Sequence, residues 1–233
     1  WLYACQGSTV SGAVRPPDLS ERKAEAATVH SLGQLIWRYH PRRRKYEVFA
    51  EGGGNTFGLE LDSAGRIFSG HNGGDTRGFH YIQGGYYRKG FDKHGPLSNP
   101  YTFGYFPAMA HHAVPRFTHT MLLYEAVSLP KKYQGLLFSI APLQGQVLIS
   151  ERIAEGSTFR TRDLGLALSS NDSWFRPVDI QLGPDGLIYI ADFHEQKIDH
   201  ASHYQGRVAA DTGRIYRLRP GQPASEPETS PLL

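Results

Sequence analysis

Two short stretches carry the residues best suited to chemistry. His71-Asn72-Gly73-Gly74-Asp75-Thr76-Arg77 gathers an imidazole, an amide, a carboxylate and a guanidinium around two glycines that let a ligand approach the backbone. Asp192-Phe-His194-Glu195 offers a second imidazole between carboxylates, and Arg176 adds a planar guanidinium fork suited to an anion. A histidine that takes a proton, with a fork that holds a negative charge, is equipment for general-base chemistry on a polar substrate. Each stretch also has a plain structural use. Asn-Gly-Gly-Asp is ordinary turn chemistry, Arg176 can tie blade to blade through backbone carbonyls, and Asp192 can cap a loop. Asp192 and Glu195 as paired carboxylates would suit a hydrolase, with no motif to support it. His111-His112 and His119 have only a superficial metal spacing. His80, His94, His200 and His203 read as surface or loop residues, and no nucleophile motif, phosphate loop or nucleotide fingerprint occurs.

What must position these residues is a repeat. Residues 177–182 alternate apolar and polar, Gly183-Pro-Asp-Gly186 makes a turn, and residues 187–192 form a second apolar run, the pattern of a β-hairpin. A third short run at 197–200 and a fourth at 213–218 complete four antiparallel strands, the size and order of one propeller blade. Residues 58–69 align without a gap on residues 179–190, turn glycine and apolar pair in phase. Weaker copies begin at Trp1 and Gly135. The expected fold is all-β, a β-propeller with about four blades at roughly 1–50, 56–106, 118–163 and 177–218, part of a six- or seven-bladed ring, followed at 220–233 by a proline-rich linker towards a further domain.

In detail, a polar excursion from Gly7 to Leu32 carries a short helix capped by Ser20. Residues 34–39 and 45–49 form a hairpin around the basic turn His40-Pro-Arg-Arg-Arg-Lys45, read as solvated. From Gly84 to Pro115 no period holds, and a strand at 86–91 or 101–106 is expected to complete the second blade. In a four-stranded up-and-down blade, the loop after the second strand and the loop into the next blade share one end. Residues 52–55, 71–76, 141–144, 172–176 and 192–196 should therefore lie on a single face.

Composition agrees and excludes. The 233 residues include 26 glycines, 15 prolines and 12% aromatics, which suits a turn-rich β fold. A net charge of +3 gives no global case for nucleic acid. A single cysteine, Cys5, excludes an intrachain disulfide and a haem-attachment pair. No apolar run approaches a transmembrane span, and no signal pattern is present.

The motifs Phe57-Gly-Leu-Glu, Gly73-Gly-Asp-Thr-Arg-Gly-Phe-His-Tyr, Gly84-Gly-Tyr-Tyr-Arg-Lys, His94-Gly-Pro-Leu-Ser-Asn-Pro, Trp174-Phe-Arg-Pro-Val-Asp-Ile and Gly213-Arg-Ile-Tyr-Arg-Leu resemble the propeller of the membrane-bound dehydrogenases of planctomycetes and verrucomicrobia. Those proteins are distantly similar to soluble glucose and sorbosone dehydrogenases. The resemblance implies a sugar or polyol substrate, pyrroloquinoline quinone (PQQ) with calcium on the loop-rich face, and a periplasmic or exported, membrane-associated location. It implies catalytic roles for His71, His194 and Asp75, cofactor contacts from Arg77, Arg176, Asn72 and Asp192, and a calcium loop at Gly73, Gly74 and Asp75, where the relatives have a Gly-Pro pair. Relatives often continue into a c-type cytochrome that would accept electrons; this chain has no haem motif. The rival reading is a non-catalytic propeller that binds glycan or protein through the aromatic segment from Tyr81 to Tyr105.

Overall fold

The computed structural model describes residues 1–7, 10–16, 20–71, 75–89, 104–112, 120–197 and 199–221. Among these, helix is confined to α1 (Glu21–Ala26), α2 (His200–Tyr204) and one 3-10 turn at Lys131–Tyr133. The rest is strand and turn, arranged as small sheets stacked side by side.

The first sheet holds β1 (Leu2–Gln6), β4 (Leu35–His40) and β5 (Lys45–Gly53) in antiparallel order. The second is the meander β6 (Glu60–Leu61), β7 (Ile67–Gly70) and β8 (Gly78–Tyr81). The third has four strands, β10 (Met121–Leu123), β11 (Leu137–Ala141), β12 (Gln146–Glu155) and β13 (Thr158–Ser169). The fourth is β14 (Pro177–Leu182), β15 (Ile188–Asp192) and β16 (Arg214–Leu218).

The repeat seen in the sequence is a repeat of register. Leu61 pairs with Ile67 and Glu60 with Phe68, while Leu182 pairs with Ile188 and Gln181 with Tyr189. Both hairpins turn through a left-handed glycine, Gly65 at φ 76° and Gly186 at φ 74°. In both, the glycine N–H closes the turn on the carbonyl of the residue three before it, at 2.8 and 2.9 Å.

Side-chain alternation explains why the sheets stack. Successive residues of a strand face opposite sides, and here both sides are buried. On β7, Ile67 joins one apolar cluster with Ile36, Phe49, Phe79 and Tyr87, whereas Phe68 joins another with Met109, Met121, Leu137 and Phe159. On β11, Leu137 belongs to that second cluster, but Phe138 and Ile140 pack with Val147, Ile180, Ile188 and Ile190. Three cores thus lie between four sheets, and the inner sheets contribute to two cores each.

Several strand assignments differ from expectation. The fourth sheet has three strands, because residues 199–204 turn helical instead of extending. Asp199 sits at the N-cap of α2 and accepts the Ser202 N–H at 2.6 Å, which commits the chain to a turn. Tyr86–Lys89 is a strand, β9, yet it leaves the second blade and pairs in parallel with β5 of the first sheet. Gly84 N–H reaches Phe49 O at 2.7 Å and Glu51 N–H reaches Gly85 O at 3.0 Å, drawing the chain across. Phe106 then bridges Tyr87; residues 101–103 of the other candidate strand lie outside the described residues. The polar excursion contains a ribbon of β2 (Gly12–Val14) and β3 (Val29–Ser31), too short to show a period. His80 is buried at 9% exposure on β8 and stacks on Phe68 at 5.1 Å, so it is a core residue and not a surface one.

The end opposite the candidate site is latched between blades. Ser63, in the β6–β7 turn, donates to the Glu125 carboxylate from its N–H at 2.6 Å and its hydroxyl at 3.0 Å. Tyr124 Oη donates to Gly186 O at 2.9 Å, and Ser128 Oγ to Asp185 O at 2.7 Å. Beside these latches Glu60 accepts the Leu123 N–H at 3.0 Å. Burial pushes its carboxyl up to about 7 against that hydrogen bond, and the charges of Glu125 and Asp62 add to the rise. A carboxyl whose folded pKa exceeds its unfolded value stabilises the fold in its protonated form. That contribution is complete below about 4.5 and is lost as pH rises through about 7. Glu60→Gln keeps the accepting oxygen and should flatten this loss, leaving the variant more stable than wild type at pH 8 by up to about 3 kcal/mol. Urea titrations at pH 5 and pH 8 measure it, and an unchanged difference between the two pH values would rule out Glu60 as the source. The aligned position in the last sheet is already glutamine, Gln181.

Candidate functional site

Loops expected on one face meet their neighbours in the described residues. Gly54, between β5 and β6, lies so close to His71, after β7, that a Cβ there would stand 2.1 Å from the imidazole Nδ1. Gly145, in the β11–β12 turn, abuts Phe175 O in the connection to β14, where a Cβ would stand at 3.0 Å. That same connection brings Asp172 to His194 in the loop after β15.

The fourth sheet supplies the most developed group. His194 Nε2 lies 3.0 Å from Asp172 Oδ2, which also accepts from Arg214 at 3.0 Å. The Trp174 N–H and then His194 hold the Asp172 carboxyl below its usual range. Asp192 is 3% exposed at the end of β15, and its Oδ1 accepts the N–H groups of Arg176 and His194, both at 2.8 Å. These two bonds fix the loop with His194 in a left-handed conformation, φ 46°. Two buried atoms remain without a hydrogen-bond partner among the described residues, His194 Nδ1 and Asp192 Oδ2. The Trp174 indole covers the imidazole, ring centroids 5.5 Å apart. Arg176 donates to the Phe175 and Gln196 carbonyls at 2.8 and 2.9 Å, both neutral and both within its own blade, so it does not tie one blade to the next.

Chemically this is a histidine with one nitrogen aligned by a carboxylate and the other facing a buried position. When Nε2 carries its proton towards Asp172, Nδ1 is left as an acceptor. Asp192 serves as a loop cap through Oδ1, and Glu195, 6% exposed, is turned to the Ala209 N–H at 2.5 Å. No contact pairs Asp192 and Glu195 in the manner a two-carboxylate hydrolase needs.

The second sheet places the other candidates. His71 is 5% exposed, packs edge-on to Phe79 at 5.4 Å, and has Nε2 3.8 Å from Asp75, whose side chain is 86% exposed. Asn72, Gly73 and Gly74 lie outside the described residues, and so does His119. Among the described residues no group of three or more histidine, cysteine or acidic side chains is placed to hold a metal ion. Arg77 is fully buried and forms a forked pair with Asp163, Nε to Oδ1 at 3.1 Å and Nη2 to Oδ2. Ser150 Oγ adds a bond to Asp163 Oδ1 at 2.6 Å, and His111 Nε2 stands 3.5 Å from Oδ2. Burial opposes ionisation of Asp163, but the Arg77 and Ser150 hydrogen bonds outweigh it and hold the carboxyl low. Most of the Arg77 fork is thereby engaged between blades, with Nη1 buried and without a partner among the described residues. His111 Nδ1 lies 2.8 Å from Thr161 Oγ1, and burial is the main cause that lowers its pKa.

Asp172 and Asp163, the two carboxylates that organise these groups, were not singled out by sequence. Asp163 is brought to Arg77, 86 residues away, by the packing of one blade on the next, whereas Asp172 and His194 meet across the fourth sheet's own hairpin. The aromatic segment from Tyr81 to Tyr105 begins in the core and ends exposed, with Tyr105 at 45%, and its residues 90–103 lie outside the described residues. Tyr81 and Tyr87 are 2% and 0% exposed and touch at 4.8 Å, so they are core and not a contact surface. Burial raises both phenols, that of Tyr87 to about 12.

Small antiparallel sheets stacked side by side, with almost no helix, define a β-propeller of about four blades. The chain belongs to a family described as a domain of unknown function (DUF7133), whose model matches residues 1–222. No curated protein matches it. Among solved structures it is similar to an oxidoreductase (glucose dehydrogenase) from Thermus thermophilus, with 21% identity, a TM-score of 0.50, and coverage of 73% of this chain and 47% of that one. It is also similar to a structure described as glucose dehydrogenase, with 18% identity, a TM-score of 0.50, and coverage of 76% and 48%. The likeness is one of fold, and the chain spans about half the length of the structures it matches. No helix among the described residues is long and apolar enough to cross a membrane.

Proposed function

We propose that this propeller belongs to a quinoprotein-like dehydrogenase that oxidises a hydroxyl of a sugar or polyol, with the loop end around His194 as its site. The observation that carries the reading is the Asp172–His194 pair at 3.0 Å, in which the imidazole Nδ1 is buried without a partner among the described residues. A base of this kind takes the hydroxyl proton as hydride leaves the carbon. The fold shared with two proteins described as glucose dehydrogenases supports the substrate class.

The residues present fit a quinone carboxylate in part. Arg176 is a cation whose described bonds go to neutral carbonyls, and Arg77 retains Nη1. When bound, PQQ supplies the two-electron acceptor. The remaining parts of the proposal follow the resemblance to the planctomycete and verrucomicrobial dehydrogenases: an exported, periplasmic location, membrane association, and a c-type cytochrome as the onward acceptor. Calcium would fall to the loop of Gly73, Gly74 and Asp75, with Asn72 beside it and His71 as the alternative base.

Calorimetric titration of the full-length protein with PQQ, with and without calcium, tests this. Binding weakened at least tenfold by Arg176→Ala supports the site at His194, and weakening by His71→Ala moves it to the second blade. Absence of quinone binding by the folded protein sinks the dehydrogenase reading and leaves a propeller that binds glycan or protein.

A further inference from the structure

Beside His194 the chain between β15 and β16 encloses a cleft of about 350 Å³, lined by Trp174, Glu195, Gln196, Lys197, Ser202 and Arg207 among others. Its walls are tied to the site already described. Arg176 holds the Gln196 carbonyl at 2.9 Å, Thr212 Oγ1 donates to His194 O at 3.2 Å, and the Arg207 N–H bonds Ser202 O at 2.9 Å. The volume sits at the small end of ligand pockets and suits one ring, not a chain.

Two features select the ligand. Trp174 is half-buried, with its indole on His194, and so offers the one aromatic face in a cleft whose other apolar lining, Val208 and Ala209, is aliphatic and small. The charge that meets solvent is positive. Glu195 is buried and turned to the Ala209 N–H at 2.5 Å, and Lys197 is paired with Asp199 at 2.9 Å. Arg207 is exposed, bonds the neutral Gln205 amide, and forms no ion pair among the described residues.

We propose that this cleft binds a pyranose bearing a carboxylate, a hexuronate, with the ring on Trp174 and the carboxylate at Arg207. The proposal rests on the reading of this end as a sugar-binding site and narrows its substrate class to acidic sugars. A pyranose presents an apolar C–H face to an aromatic ring, and a guanidinium matches a carboxylate by two parallel hydrogen bonds.

The test is binding without cofactor or acceptor. Methyl glucuronide and methyl glucoside are titrated into the full-length protein by calorimetry, with saturation-transfer NMR to locate the contact. The expected result is glucuronide affinity at least tenfold above that for glucoside, reduced to the glucoside level by Arg207→Gln and by added salt. Trp174→Ala should weaken both sugars. Arg207 is on the surface, so its variant keeps the fold and the comparison stands even where Trp174→Ala does not. Equal affinity for the two sugars, no binding, or an Arg207→Gln variant that keeps the preference overturns the proposal. Glucuronide binding in a protein that takes up no quinone supports the cleft and removes only the dehydrogenase reading.

Discussion

Gly52→Ala should unfold the first two blades, with a loss of more than about 4 kcal/mol in urea titration. The residue sits at φ 92°, where a side chain is strained, and an added Cβ would stand 1.7 Å from the carbonyl oxygen of Tyr87. That oxygen belongs to β9, so the strand that crosses from the second blade to the first has to move. Gly52 N–H also holds Gln34 O at 2.7 Å, a contact that a shift would break. Neither neighbour is the flexible end of a side chain, and relaxation is therefore costly. Gly104→Ala is the control: no described residue lies within 4 Å of its added Cβ, and the change should stay within about 0.5 kcal/mol. A Gly52→Ala protein as stable as wild type would refute the parallel pairing of β5 with β9.

His194→Asn should lower turnover by about 10²- to 10⁴-fold in the full-length protein, the range for removing a general base. Asparagine tolerates the left-handed backbone at φ 46°, so the loop keeps its shape. Asp172→Asn, which leaves the imidazole in place but removes the carboxylate that aligns it, should cost turnover with little change in KM. Its thermal midpoint should move less, because Asp172 is partly exposed and its partner Arg214 lies at the surface. Equal turnover in wild type and His194→Asn would transfer the base role to His71.

The repeated hairpins were readable in sequence because the alternation, the turn glycine and the apolar pair recur together. Residues 58–69 and 179–190 align, and their strands share one register. The strands that escaped reading are those whose partner is decided at a distance. Tyr86–Lys89 has the pattern of a strand, but the choice of β5 over β8 is made by backbone bonds at Phe49 and Glu51. Residues 197–200 read as a short strand, but Asp199 caps a helical turn at His200–Tyr204. The site divides in the same way. His194, Asp192 and Arg176 stand out by type and closeness in sequence, and the structure gathers them. Asp172 and Asp163 are ordinary loop and strand acids in sequence, and they gain a role only when the fourth sheet's hairpin folds Asp172 onto His194 and blade packing sets Asp163 against Arg77.

Adjacent residues of β11 belong to different cores, Leu137 to one and Phe138 to the next. Neighbours in sequence are therefore reporters of separate interfaces. Truncating Leu137 should speed amide exchange in the second sheet, and truncating Phe138 should do so in the fourth. Disturbance passes along the arc from one sheet to the next and weakens with each step, as in a row of coupled units. A substrate held at the fourth sheet would be insulated from damage in the first, and the loops of the last blade can change while the opposite end of the arc keeps its stability.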